Sequence, residues 1–122
     1  MDIKVVNKLI EDVKDNLGDG LLFSDITSFK IGSSIAAYNA SPKTSTLVNK
    51  FTKYMKDMII KIGVGEGIDY YAAETASNLT MYVILSGDLC WSIMVDNAQV
   101  PIGMMMVGVL PDCRENLAKA AK

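Results

Sequence analysis

Apolar residues near the start of the chain recur at steps of three and four: Ile3, Val6, Ile10, Val13 and Leu17, with Val5 and Leu9 widening the stripe. That spacing predicts an amphipathic helix over about Asp2–Leu17. Gly18 stops it, since glycine enters the left-handed conformation past a last turn without a steric penalty. The pattern then changes. Leu21–Ile26 reads as a first strand and Ser33–Asn39 as a second, where Ile35 and Ala37 alternate with Ser34, Ala36 and Tyr38. The intervening loop Thr27–Gly32 holds Phe29 and Ile31, which either fold back onto the core or meet a partner.

A second helix opens at Ser41-Pro42-Lys43, with Ser41 as N-cap and Pro42 in the first turn, where its missing N–H costs nothing. Its apolar positions are Leu47, Phe51, Tyr54, Met55, Met58, Ile59 and Ile62, with Val48 and Ile60 in addition. The arc is too broad for a simple surface helix and predicts two contacts, one face on a sheet and another on a neighbouring helix, with Gly63 ending it. Three strands follow: Ile68–Thr75, Leu79–Ser86 and Leu89–Asp96. The two-residue link Gly87-Asp88 fits a type II′ hairpin, which takes glycine first. The last helix spans about Pro101–Ala121. Its first half, IGMMMVGVL, is apolar all round and is expected to be buried, and Pro111 predicts a kink. The order is αββαβββα in one domain, 1–122, with no repeat, linker or low-complexity segment.

Half of the 122 residues are apolar, a high share for so small a domain, which points to apolar surface covered by another subunit. The N-terminus mixes acids into its apolar stripe and is no signal peptide; the uncharged run Asn97–Pro111 is shorter than the ~20 apolar residues that span a bilayer. No membrane insertion and a cytoplasmic location are expected. Cys90 and Cys113 lie far apart, with no CxxC and no histidine, and read as reduced core thiols. The net charge of −2 conceals an asymmetry. Lys43–Ile62 carries Lys43, Lys50, Lys53, Lys56 and Lys61 against Asp57 alone, whereas Gly63–Asp96 carries Glu66, Asp69, Glu74, Asp88 and Asp96 and no base. Solvated faces account for this, and so does charge complementarity at an interface.

No motif carries enzyme chemistry. Gly63-Val64-Gly65-Glu66-Gly67 follows a helix and precedes a strand, the reverse of a phosphate loop, and lacks its lysine. Ser24-Asp25 and Ser33-Ser34 bring hydroxyls and a carboxylate together, but nucleophilic serine needs a base that this histidine-free chain does not offer, so Asp25 is expected to bond loop amides or solvent. The acids have neither a paired-carboxylate arrangement nor a metal-binding spacing. The helix-two lysines lack interleaved surface aromatics, which argues against nucleic acid. The methionines at 55, 58, 81, 94, 104, 105 and 106 are expected mainly to fill the core, Met55 and Met58 excepted. Arg114, the only arginine, is expected to be a solvated surface residue. No cofactor is expected, and the chain reads as no enzyme.

The order αββαβββα, the segment LLFSDITSFKIGSSIAAYN-x-SPK and the ending DNAQVPIGMMMVGVLPDCRENLAKA resemble the roadblock family of dynein light-chain-like domains, over nearly the whole chain and in the manner of its prokaryotic members. The resemblance implies an α+β fold, a roadblock/profilin-like sandwich. In it a five-stranded antiparallel sheet carries two helices on one face and a dimer-forming helix on the other. It implies a homo- or heterodimer, here expected to be a homodimer, in which second helices pack together and third strands meet. Carried over by position, the dimer interface is Leu47, Phe51, Tyr54, Met55 and Met58 with Ile68, Tyr70 and Ala72. Prokaryotic members commonly act beside small Ras-like GTPases, as regulators, activators or scaffolds without an arginine finger. Lys50, Lys53 and Lys56 would then be rim contacts steering an acidic partner. The alternative is a small-molecule sensor or general protein-interaction module of profilin or longin type.

Overall fold

The computed structural model describes residues 2–122. Helix α1 (Ile3–Leu17) is capped by Asp2, whose carboxylate accepts the Lys4 N–H at 2.9 Å. A short 3-10 turn, Gly18–Gly20, leads into β1 (Leu21–Ser28). There the chain passes so close to Val100 that any Cβ at Gly20 would collide with its side chain. β2 (Ser34–Tyr38) follows, then α2 (Pro42–Ile62), β3 (Tyr70–Glu74), β4 (Leu79–Ser86) and β5 (Leu89–Asp96). The chain ends in one long C-terminal helix. An α-helical turn, Ile102–Met104, passes into a π-helical segment, Met105–Val109, and then an α-helix, Leu110–Ala120.

The five strands form one antiparallel sheet in the order β2-β1-β5-β4-β3, so β2 and β3 are its edges. Strand alternation gives the two faces different chemistry. On one side Ile26, Tyr82, Ile84, Trp91 and Ile93 meet Val6, Ile10 and Val13 of α1 and Met105, Leu110 and Leu117 of the C-terminal helix; this is the core. The other side, beneath α2, carries Asp25, Thr27, Cys90 and Ser92, all buried. Both Cys90 and Cys113 are free thiols. Gly87 alone in its turn has positive φ, +56°, as a type II′ hairpin requires.

Several expectations need correction. β1 runs two residues further than the apolar pattern suggests, because Thr27 and Ser28 pair with Cys90 and Leu89 despite their polarity. β3 is shorter than Ile68–Thr75. The start of the C-terminal helix is not buried all round: Met105 and Val109 are, but Ile102, Met104, Met106 and Val107 are exposed, since only one side of a helix at the end of the sheet can touch it. At the expected kink site, the turn before Pro111 widens into the π segment, which accommodates the ring and the missing N–H. Of the methionines assigned to core filling, Met105 alone is fully buried; Met104 and Met106 face outward.

Asp25 is neither in a loop nor solvated. It is 2% exposed, in the middle of β1, and accepts the Ser34 hydroxyl from β2. The apolar loop residues divide. Phe29 tucks beneath the Lys56 ammonium, 5.2 Å from the ring centre, while Ile31 stands exposed at the tip.

Candidate functional site

Helix α2 is bound to the sheet by polar groups. Its buried residues are Ser45, Asn49 and Thr52, spaced four and three apart and so on one side. Asn49 donates its amide N–H to Thr27 Oγ1 at 2.8 Å and to the Ser28 carbonyl at 3.3 Å. The Thr52 and Tyr71 hydroxyls lie 2.8 Å apart, and Ser45 donates to the Ser41 carbonyl at 3.2 Å. Burial raises the Tyr71 phenol above its ordinary pKa, with the Thr52 hydrogen bond opposing, and pushes the Cys90 thiol up to about 11. The centre of the contact between α2 and the sheet is therefore polar, where short hydroxyl and amide side chains bring the helix close, and the apolar contact expected there is confined to its β3 side.

The apolar side of α2 points elsewhere. At about 100° per residue, Leu47, Phe51, Tyr54, Met58 and Ile62 fall within one continuous arc, and all five are exposed, Tyr54 at 69% and Leu47 at 57%. Met55, Val48 and Ile59, half-buried, close the arc toward the sheet. Its position is fixed by the Phe51 ring, edge-on to Tyr71 of β3 at 6.1 Å. The arc thus faces outward on the side of β3, an edge strand. Ile68 and Tyr70 are half-buried beside that edge and Ala72 is exposed on it. Of the eight interface candidates, Leu47, Phe51, Tyr54 and Met58 share the exposed arc with half-buried Met55 beside it, whereas Tyr70 and Ala72 alternate with Tyr71 along the β3 edge and so project from the sheet face opposite α2.

The lysines divide. Lys43, Lys50, Lys53 and Lys61 are exposed on the opposite flank of α2, with Asp57 among them. Lys56 is not with them: it turns toward the sheet, over Phe29, and lines a cleft of about 610 Å³ with Glu66, Gly67, Asp69 and Ser86. Only Lys50 and Lys53 of the predicted rim therefore share a face.

Two contacts were not anticipated. Asp88, in the β4–β5 turn, accepts the Lys30 N–H at 2.9 Å and the Ser28 hydroxyl, and its carbonyl accepts the Phe29 N–H at 2.9 Å, so it clamps the β1–β2 loop. Arg114 lies over the Tyr70 ring, 4.8 Å from its centre, and 3.7 Å from the Asp69 carboxylate. The polar spacing Ser45-Asn49-Thr52 was a readable signal for the sheet-facing side of α2; for Asp88 and Arg114 no local signal exists, since their partners are distant in sequence. Among the described residues no three His, Cys, Asp or Glu side chains are placed to hold a metal ion, and no helix is long and apolar enough to cross a membrane.

No protein-family model and no curated protein sequence matches the chain. Solved structures do. MglB of Myxococcus xanthus superposes with a TM-score of 0.82 at 13% identity, over 98% of this chain and 89% of that one. This is a roadblock-type fold. A Roadblock/LC7 domain from Streptomyces avermitilis gives a TM-score of 0.71 at 14% identity, covering 93% of this chain and 92% of its own. The gliding protein mglB of Thermus thermophilus gives 0.76 at 16%, covering 98% and 90%. The roadblock-type architecture accounts for α2 lying alone on one face of the sheet while α1 and the C-terminal helix share the other.

Proposed function

We propose that this chain is a non-catalytic regulator or scaffold for a small Ras-like GTPase, working as a homodimer joined through α2 and β3. The observation that carries the reading is the exposed apolar arc on α2 beside an open sheet edge. A monomer would leave five large apolar side chains of one helix in water while anchoring that helix by polar bonds, an arrangement that favours a covering subunit. The roadblock-type fold and the similarity to MglB supply the class of partner.

Pairing the arcs leaves Lys43, Lys50, Lys53 and Lys61 uncovered along the outer flanks of the two helices. Those flanks offer positive charge to an acidic protein surface, speeding encounter and setting orientation. The GTPase's own residues carry out hydrolysis, and this chain contributes a platform.

The test combines mass with capture. Sedimentation at micromolar concentration should give twice the chain mass. The purified dimer should then bind a Ras-like GTPase from the same genome, loaded with GDP or a non-hydrolysable GTP analogue. Lys50→Glu with Lys53→Glu should weaken that binding, more at low salt than at high. A monomer, or a dimer that binds none of those GTPases in either state, overturns the proposal.

A further inference from the structure

The edge strand β3 shows how two copies would meet, and the inference rests on the dimer proposed above. Thr75 donates its N–H to the Leu79 carbonyl at 2.7 Å, and Leu85 donates to the Asp69 carbonyl at 2.8 Å. Peptide groups alternate sides along a strand. Asp69, Tyr71, Ala73 and Thr75 therefore turn theirs inward to β4, while Tyr70, Ala72 and Glu74 turn theirs outward, where no strand among the described residues receives them.

A second β3, related by a twofold axis, satisfies all three free positions in one register only. Ala72 must face itself, which places Tyr70 opposite the partner's Glu74 and Glu74 opposite the partner's Tyr70. Shifting the pairing by one step of the ladder, so that Tyr70 faces the partner's Ala72, leaves Glu74 outside the five-residue strand pairing. Directly opposed residues in an antiparallel pair project from the same face with Cβ atoms about 5 Å apart. On that face Tyr70 already carries the Arg114 guanidinium over its ring.

We propose that two copies of this chain pair their β3 strands antiparallel about Ala72, and that Arg114 of each subunit binds the carboxylate of the partner's Glu74. Arg114 is held for this by stacking on Tyr70 and by Asp69. Glu74 is oriented by Asn97, whose amide donates to its Oε2 at 3.2 Å, with Oε1 left for the guanidinium. Symmetry makes the bridge twice. It closes the seam on the face of α1 and the C-terminal helix, while the α2 arcs close the opposite face. Arg114 also offsets the like charges that this register brings near one another, Asp69 of one copy and the partner's Glu74. The chain's one arginine thereby favours the register centred on Ala72.

The experiment is a charge-swap cycle followed by sedimentation velocity on the full chain. Arg114→Glu and Glu74→Arg should each weaken the dimer about tenfold or more, since each loses two bridges and adds repulsion. The double swap should recover most of the loss, and Asp69→Asn should leave the dimer within about threefold of wild type. Under oxidation Ala72→Cys should cross-link to its twin, because a hydrogen-bonded antiparallel pair sets Cα atoms about 5.5 Å apart, within disulfide range. Ala73→Cys should not. A monomeric wild type overturns the dimer itself. A dimeric wild type whose double swap is no better than the singles, or whose Asp69→Asn variant reproduces the loss while Glu74→Arg has no effect, overturns this pairing and leaves the dimer standing.

Discussion

Replacing Phe51 by alanine separates a free helix from a buried seam. In the single chain Phe51 is 55% exposed and packs edge-on against Tyr71. A phenylalanine side chain buries roughly 200 Å² when covered completely. The exposed part therefore amounts to about 110 Å², worth about 2.7 kcal/mol at ~25 cal/mol per Å². A twofold seam covers it twice, about 5 kcal/mol per dimer, of which alanine would retain a minor share. Phe51→Ala should thus cost the dimer about 4 kcal/mol, a shift of about a thousandfold in Kd. The monomer should lose about 1 kcal/mol, the worth of its edge-on contact. Sedimentation equilibrium over a dilution series measures the first quantity, and urea unfolding at a concentration where both proteins are monomeric measures the second. A Kd changed less than tenfold would refute the seam, because a solvated surface position tolerates substitution with little effect.

The polar layer and the thiols give three further outcomes. Asn49→Ala removes the donor to Thr27 and to the Ser28 carbonyl, leaving a buried carbonyl without that partner; urea unfolding should show a loss of about 1–3 kcal/mol, whereas a neutral result would mean that water fills the site. Burial pushes the Cys90 thiol up to about 11 and Cys113 up to about 12, from an unfolded value of 9.0. Above pH 9 the unfolded chain therefore gives up protons that the folded chain keeps, so stability should be flat below pH 9 and fall as pH rises toward 11 and 12. At pH 8 both thiols should react with a disulfide reagent only after denaturant is added; rapid labelling of the native protein would show that they are accessible.

The elements were legible because each announced itself locally. The Ser41-Pro42 start of α2 is a short-range signal, as are the three-and-four stripe of α1 and the Gly87-Asp88 turn, and the structure reproduces all three. What stayed hidden depended on which surface an element meets. The uncharged segment from Ile102 to Leu110 reads as core by composition, yet its helix touches the sheet along one side only. The broad arc of α2 was visible, but composition could not tell which part met the sheet, and the answer was the polar part. Arg114 and Asp88 were passed over for a related reason: their partners, Tyr70 with Asp69 and Ser28 with Lys30, are tens of residues away.

The polar attachment of α2 has a consequence for how folding and assembly are linked. A helix buried by an apolar stripe gains most of its stability from its own sheet, and a second subunit adds little. Here the groups bonded to the sheet are Asn49 and Thr52, whose hydrogen bonds replace bonds to water and contribute about 1 kcal/mol each. They fix where α2 lies more than they hold it there. Its large apolar side chains, Leu47, Phe51, Tyr54 and Met58, contribute little to the single chain while they stay exposed. Orientation thus comes from the chain itself and, in the proposed dimer, added stability would come from the neighbour. In such a design a platform helix is already aimed before its partner arrives, and association strengthens the same helix that a further protein would read.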